Sequence, residues 1–184
     1  MPTPHAYRRW LAVSVALVAA AVALTLRGAG DGGDAAGAPA PTRTAGLNQQ
    51  LARRVAAILE SSTPAQHHQH GHALGEGGRV VCAVEVFGYE PADATFVDEV
   101  RFVYAHHLCA VAEPGRAWEL AVKASGPLAV ELTDPPNVRV PEPGLGYPDR
   151  VRALFPEAYR AAALGAFSDL AALQELRRRY DEAA

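Results

Sequence analysis

Four imidazoles lie within six residues of this chain, at His67, His68, His70 and His72. Neutral imidazole is a good ligand for zinc, nickel or copper, and a flexible chain can wrap two or three imidazoles around one ion. The glycines that follow at positions 75, 77 and 78 predict a mobile segment, which would not hold ligands at a fixed geometry. The sequence therefore leaves two interpretations open, a zinc or copper site and a solvated histidine-rich loop, and the second is favoured.

Two cysteines, Cys82 and Cys109, are too few for a four-thiolate zinc site or for a scaffold built on several disulfides. They occur in RVVCAVEVFGYE (79–90) and VRFVYAHHLCAVAE (100–113), whose Val, Phe and Tyr residues favour β-strands. In a hairpin that sets Cys82 opposite Cys109, a disulfide would close a loop of 28 residues. Such a bond contributes about 3–4 kcal/mol by loop entropy. We predict this structural crosslink; two buried thiols and a reactive or metal-binding pair are the alternatives.

The same hairpin register brings together an acid and a base. Glu85 falls opposite His106 on one face, beside Phe87 and Tyr104. A carboxylate next to an imidazole among aromatic rings could form a catalytic pair in a pocket beneath a helix. One such pair is a weak signal, because these residues more often satisfy each other by hydrogen bonding. Glu85 and His106 are therefore candidates, and no catalytic residue is assigned.

Two further pairings follow from this register. His107 falls opposite Val84 on the other face of the hairpin, and Glu90 falls opposite Arg101. The second pairing would place opposite charges across the two strands, which stabilises an antiparallel pair.

A helix is predicted ahead of these strands. In LNQQLARRVAAILE (47–60), apolar residues recur at helical spacing and polar residues occupy the other side. The apolar face consists of Leu47, Leu51, Val55, Ile58 and Leu59. The sequence SSTP (61–64) ends the helix, because the residue before a proline avoids helical geometry.

The rest of the chain predicts two more strands and then helices. Strands are expected at PLAVELT (127–133) and NVRVP (137–141), whereas AWELAVKA (117–124) fits a strand or a helix. Helices are expected in PDRVRALF (148–155), in EAYRAAALGAF (157–167) and in SDLAALQELRRRYDEAA (168–184), which Ser168 would cap. The arginines at 177–179 fit the negative end of the last helix, an explanation that we prefer to a binding patch.

These elements predict an α+β fold, in which an N-terminal helix packs on a curved antiparallel sheet of about four strands and C-terminal helices follow. The element order resembles that of the cystatin-like and nuclear-transport-factor-like folds, which implies a helix across a curved sheet and no functional residue. The strings VCAVEVFGYE, VYAHHLCAV and SGPLAVEL, with the Ala-, Gly- and Arg-rich composition, resemble uncharacterised exported or membrane-anchored actinobacterial proteins. That resemblance covers about residues 79–155 and implies no known activity.

The first 46 residues predict export. The run WLAVSVALVAAAVALTL (10–26) has no charge, and as a helix it would span about 25 Å, within the lower range for a transmembrane segment. Because Arg8 and Arg9 precede it, the positive-inside rule predicts a cytoplasmic tail at 1–9 and an extracytoplasmic domain at 47–184. Between the two, RGAGDGGDAAGAPAPTRTAG (27–46) has the composition of a flexible linker.

A cleaved secretory signal is the alternative to this anchor, since its apolar region has a similar length. The small-x-small sites are poor, because AVA (21–23) lies inside the apolar run and APA (38–40) is followed by proline. We therefore predict a retained signal anchor. With cleavage, the domain would be secreted.

The charge and the motifs exclude several classes of function. Four of the 17 basic and two of the 20 acidic side chains lie in residues 1–46, so residues 47–184 carry 13 and 18, a net charge of −5. This balance excludes a nucleic-acid binder that acts through bulk basic charge. The chain also lacks a Gly-rich phosphate loop ending in Lys-Ser/Thr, HExxH, GxSxG and CxxC.

The sequence thus predicts a non-enzymatic, membrane-anchored, extracytoplasmic domain that binds an unknown protein or small molecule, or that has a structural role in the envelope. The first alternative is a zinc- or copper-binding protein that uses the histidine loop. The second is an enzyme that uses Glu85 and His106 in a cavity between helix and sheet, which requires that Leu51, Val55 and Leu59 leave that cavity empty.

Overall fold

The computed structural model describes residues 43–71, 74 and 77–184. All of these residues belong to one compact unit, Pro41–Ala184. The predicted tail at 1–9, the transmembrane helix at 10–26 and most of the predicted linker lie outside the described residues, and they stay predictions. Within the described part of the chain, no helix is long and apolar enough to cross a membrane.

The first helix, α1 (Arg43–Ser61), buries one stripe of side chains. Leu47, Leu51, Val55 and Leu59 recur every four residues, and each is at most 2% exposed. The predicted linker at 27–46 is wrong at 43–46, because α1 already includes these residues. A docked helix can extend by one turn past its last core contact, since propagation adds a hydrogen bond for each residue that is fixed.

A second, short helix, α2 (Pro64–Gln69), contains part of the segment that was predicted to be a solvated loop. Thr63 is its N-cap residue, and a reciprocal capping box joins Thr63 to Gln66. Pro64 occupies the first turn, where a missing N–H costs nothing. The loop prediction is therefore wrong for residues 67–69, because the cap and the proline start a helical turn that includes them.

Four antiparallel strands form one sheet in the order β1-β2-β3-β4. Their bounds are Arg79–Glu90 for β1, Phe102–Ala112 for β2, Lys123–Glu131 for β3 and Asn137–Arg139 for β4. The predicted α+β class with about four antiparallel strands is confirmed. The ambiguous segment at 117–124 divides into a 3-10 turn at Trp118–Leu120 and the start of β3.

Three helices follow the sheet, α3 (Tyr147–Leu154), α4 (Arg160–Ala163) and α5 (Leu170–Ala183). The predicted helix at 157–167 is only partly correct, because a 3-10 turn at Glu157–Tyr159 leads into the four residues of α4. The predicted cap, Ser168, is wrong by one residue. Asp169 caps α5, and its Oδ1 accepts a hydrogen bond of 2.9 Å from the backbone N–H of Ala172.

The sheet is packed on both faces. On one face, the buried stripe of α1 packs with Cys82, Val84, Val103 and Cys109. On the other face, α5 contributes Leu176 and Tyr180 to a cluster with Val81, Ala83 and Ala110. A neighbouring cluster joins α3 and α4 to β2 and β3, and contains Tyr104, Ala129, Val151, Phe155 and Ala163. Because side chains alternate along a strand, successive β1 residues face α1 and the C-terminal helices in turn.

The predicted register of the hairpin is confirmed from Arg79 to Val86. Cys82 lies opposite Cys109, Glu85 opposite His106 and Val84 opposite His107. A bulge then inserts one extra residue between Val86 and Gly88. The predicted Glu90–Arg101 pairing is therefore wrong, since Glu90 lies opposite Phe102.

Gly88 lies at the bulge, and the aromatic ring of Tyr159 packs directly against it. A Cβ atom at this position would lie 2.4 Å from Cε1 of Tyr159. The Tyr159 hydroxyl donates a hydrogen bond of 3.1 Å to the backbone carbonyl of Tyr89. Glycine is thus required for close approach of Tyr159 to the strand.

We expect Gly88→Ala to lower the free energy of unfolding by about 1–3 kcal/mol, because the added methyl group overlaps a packed ring. Denaturant unfolding measures this loss. The matched control is Gly46→Ala in α1, where no atom lies within 4 Å of the added methyl group. The control should be neutral or stabilising by up to about 1 kcal/mol, through helix propensity. Equal effects of the two substitutions would contradict the packing of Tyr159 on Gly88.

Candidate functional site

The predicted disulfide joins β1 to β2. The sulfur atoms of Cys82 and Cys109 lie 2.06 Å apart, and the two residues are directly opposite each other in the ladder. Both residues are buried, so the bond lies inside the core beneath α1. The crosslink and its register are as predicted.

Glu85 holds the start of α5 on the sheet. Its carboxylate accepts hydrogen bonds from the backbone N–H and the hydroxyl of Ser168, both at 2.6 Å, and from the N–H of Asp169 at 3.3 Å. Burial by itself would raise the pKa of Glu85, but these hydrogen bonds outweigh it and hold the pKa below its ordinary value. The carboxylate thus binds the residues that lead into the last helix.

His106 attaches α4, the helix before α5, to the sheet in a similar way. Its Nε2 lies 2.9 Å from the carbonyl oxygen of Ala162 in α4, which fits an Nε2–H donor. The imidazole is 5% exposed, and its ring centroid lies 5.0 Å from that of Phe87. His106 is therefore enclosed between the strand and α4.

The structure places Glu85 and His106 on the same face, as predicted, but not beneath the N-terminal helix. Both residues face α4 and α5, because α1 covers the face that carries Cys82 and Val84. The second alternative, an enzyme with a cavity between α1 and the sheet, is contradicted as well. Its lining residues Leu51, Val55 and Leu59 are all 0% exposed and fill the interface.

The histidine-rich segment is split between core and solvent. His67 is 1% exposed, whereas His68 is exposed on another side of α2. The ring centroids of His67 and His70 lie 6.4 Å apart, and burial lowers the pKa of both imidazoles. Among residues 43–71, 74 and 77–184, no group of three or more His, Cys, Asp or Glu side chains could hold a metal ion. His72 lies outside those residues, so a zinc or copper site stays a prediction.

The arginines of α5 are paired with carboxylates. Arg177 binds Asp181 on its own helix and Glu119 in the 3-10 turn before β3, both at 3.0 Å. Arg178 pairs with Glu175 and Glu182. These exposed pairs account for the arginine run more directly than the helix dipole that was predicted.

The outer edge of β1 carries a further arrangement, which sequence reasoning missed. Oε1 of Glu60 accepts a hydrogen bond of 2.8 Å from the backbone N–H of Cys82, and Arg179 donates to the Cys82 carbonyl at 3.3 Å. Arg179 and Glu60 pair with each other at 2.6 Å. The end of α1 and the end of α5 are thus joined across the edge strand.

Beside this ion pair lies a groove of about 780 Å³, which we call the β1-edge groove. Its floor is residues 82–86 of β1. The α1 wall includes Gln49, Ala52, Arg53 and Ala56, and the α5 wall includes Asp169, Ala172, Glu175 and Arg179. The groove is therefore open to solvent, is bounded by two helices and a strand edge, and is lined by both polar and apolar side chains.

One sequence signal could have indicated this groove. Ala52 and Ala56 are four residues apart and flank the apolar stripe of α1, so the helix has a face of small side chains there. The partner wall comes from α5, more than 100 residues later in the chain, and the sequence alone does not bring the two together.

Comparisons with known proteins returned no match to this chain, whether against family models, curated proteins or solved structures.

We expect Glu85→Gln to lower the free energy of unfolding by about 1 kcal/mol at neutral pH, because an ionised acceptor of three hydrogen bonds is lost. The pKa of Glu85 is lowered in the folded state, so its contribution is present above the ordinary value of 4.5 and is lost as the pH falls through the folded-state pKa. Thermal unfolding of both proteins from pH 7 to pH 3 should show a difference in Tm that shrinks below about pH 4.5.

The matched control for this substitution is Glu157→Gln, which makes the same charge change at an exposed position. It should alter the Tm little at any pH. A Tm difference for Glu85→Gln that stays constant across the range would contradict the role of the ionised carboxylate.

Proposed function

We propose that this protein is a non-enzymatic, membrane-anchored, extracytoplasmic binding domain, and that a partner protein occupies its β1-edge groove. The observation that carries the proposal is the groove itself, an opening of about 780 Å³ next to a sheet that is packed on both faces.

The non-enzymatic part is supported by the roles of the two candidate catalytic groups. The Glu85 carboxylate accepts three hydrogen bonds from the segment that leads into α5, and His106 binds a backbone carbonyl in α4. Both contacts hold C-terminal helices on the sheet. An acid-base pair for catalysis would instead need its polar atoms within reach of a substrate.

The location is supported by the disulfide and by the N-terminal sequence. A crosslink such as Cys82–Cys109 persists in oxidising compartments outside the cytoplasm. The uncharged run at 10–26, preceded by Arg8 and Arg9, supports an anchor with its N-terminus in the cytoplasm. The linker at 27–42 would then hold the domain near the membrane surface.

A binding function is supported by the chemistry of the groove. Its walls combine small apolar residues, Ala52, Ala56 and Ala172, with charged residues at the rim. Pockets that bind partners are concave and largely apolar, with a few polar groups that fix orientation. The net charge of −5 over residues 47–184 disfavours anionic lipid head groups as the bound species.

Photocrosslinking in cells tests this proposal with the full chain. A photoreactive phenylalanine analogue at position 49, on the rim of the groove, should give a discrete covalent adduct. The same analogue at position 57, an exposed position of α1 outside the groove, should not. Adding Ala56→Trp, which fills the groove, should reduce the adduct at position 49 by about tenfold or more.

Two results would contradict a binding function at this site. One is the absence of an adduct at position 49, and the other is the same pattern of adducts at positions 49 and 57.

A further inference from the structure

The edge of β1 has backbone groups that point into the groove. β1 is the first strand in the order β1-β2-β3-β4, so it is hydrogen bonded to a neighbouring strand on one side. The N–H and C=O of Cys82 point to the other side, where they bind Glu60 and Arg179. In an antiparallel pair this orientation repeats every two residues. The N–H and C=O of Val84, and the N–H of Val86, therefore point outward as well.

Val84 and Val86 both line the β1-edge groove. Among the hydrogen bonds between described residues, none uses the outward groups of Val84 or the outward N–H of Val86. Unpaired groups along a strand edge are a template for another strand. The position of these groups in the groove determines the kind of ligand that fits it.

We propose that the groove binds an extended segment of a partner protein, which adds to the sheet as a fifth strand through backbone hydrogen bonds to Val84 and Val86. This inference rests on the proposed binding function and specifies its ligand. In strand addition, main-chain hydrogen bonds give affinity and alternate side chains give specificity.

The walls of the groove favour a free segment over a second copy of this chain. An added strand lies about 4.8 Å from β1, and its side chains point alternately toward α1 and α5. Ala52 and Ala56 on one wall and Ala172 on the other leave room for such side chains. A second copy would have to bring its own α1 and α5 to this edge together with its β1 strand, whereas a free segment brings no flanking helices.

The charges on the two walls differ, which gives the segment a preferred pattern. Arg53 lies on the α1 wall, whereas the α5 wall carries Asp169 and Glu175 together with Arg179, whose charge is paired with Glu60. The complementary segment alternates acidic or apolar residues toward α1 with basic or apolar residues toward α5. Residues 27–42 of this chain do not fit that pattern, because they are mostly Gly, Ala and Pro and contain no Val, Ile, Phe, Tyr or Trp.

The Glu60–Arg179 pair sets where the added strand ends. Its two side chains already occupy the outward N–H and C=O of Cys82. A segment in the groove therefore pairs with Val84 and Val86 and stops before Cys82. Blocking part of an edge with charged side chains is a common protection against uncontrolled strand addition.

The test uses the full chain in detergent and a displayed library of random 12-residue peptides as the probe. We expect selected peptides that alternate with a period of two. In hydrogen exchange, the amides of Val84 and Val86 should exchange rapidly in the free protein and at least about tenfold more slowly with peptide. The amide of Cys82 is the internal control, because Glu60 already binds it and its rate should change little.

Two matched comparisons separate strand addition from other contacts in the groove. Arg53→Glu should weaken peptide binding by about tenfold, whereas Arg54→Glu, the same charge change at the adjacent exposed position, should not. A selected peptide that is N-methylated on alternate backbone nitrogens keeps its side chains and should lose at least about tenfold in affinity.

Three outcomes would overturn the proposal. The first is a failure to select any peptide. The second is peptide binding without protection of Val84 and Val86. If this occurs while the adduct at position 49 forms, the binding function stands and strand addition is wrong. The third is slow exchange of both amides in the free protein, which would mean that residues of this chain or a second copy already occupy the edge.

Discussion

The pairing of β1 with β2 is the constraint on which the rest of the structure depends. Because side chains alternate along a strand, a slip of one residue would exchange the two faces of β1. The disulfide between Cys82 and Cys109 prevents that slip, since the two residues must lie opposite each other. In this register Cys82 and Val84 face α1, while Val81, Ala83 and Glu85 face the C-terminal helices.

The two-sided packing covers both faces of the sheet and leaves its β1 edge beside an open groove. Helix α1 covers one face and α3 to α5 cover the other, and the core residues of both layers are buried. The hydrogen bonds of Glu85 and His106 attach the C-terminal segment to the sheet and so bring α5 beside β1. The same contacts thus build one wall of the groove.

Local patterns predicted much of this fold, and non-local contacts account for what they missed. The stripe of α1, the bounds of β1 and the cysteine pairing follow from periodicity and composition. The bulge after Val86 was missed because the strand pattern has no local mark for it, and the ring that packs on Gly88 there, Tyr159, comes from a distant part of the chain. The edge arrangement of Glu60 and Arg179 depends on two helix ends meeting across β1, and neither residue has a local signal for it. The helix at 64–69 did have a local signal, the capping residues Thr63 and Gln66 with Pro64 between them. The histidine-rich composition of this segment favoured a loop instead.

Disulfide mapping by mass spectrometry of the non-reduced full chain, purified from membranes, tests the register and the location together. One crosslinked peptide pair that contains Cys82 and Cys109 is expected, with no free thiol. Recovery of both cysteines as free thiols would contradict a β1–β2 register that is fixed by the disulfide. It would also contradict the location of the domain, and of its β1-edge groove, in an oxidising compartment outside the cell.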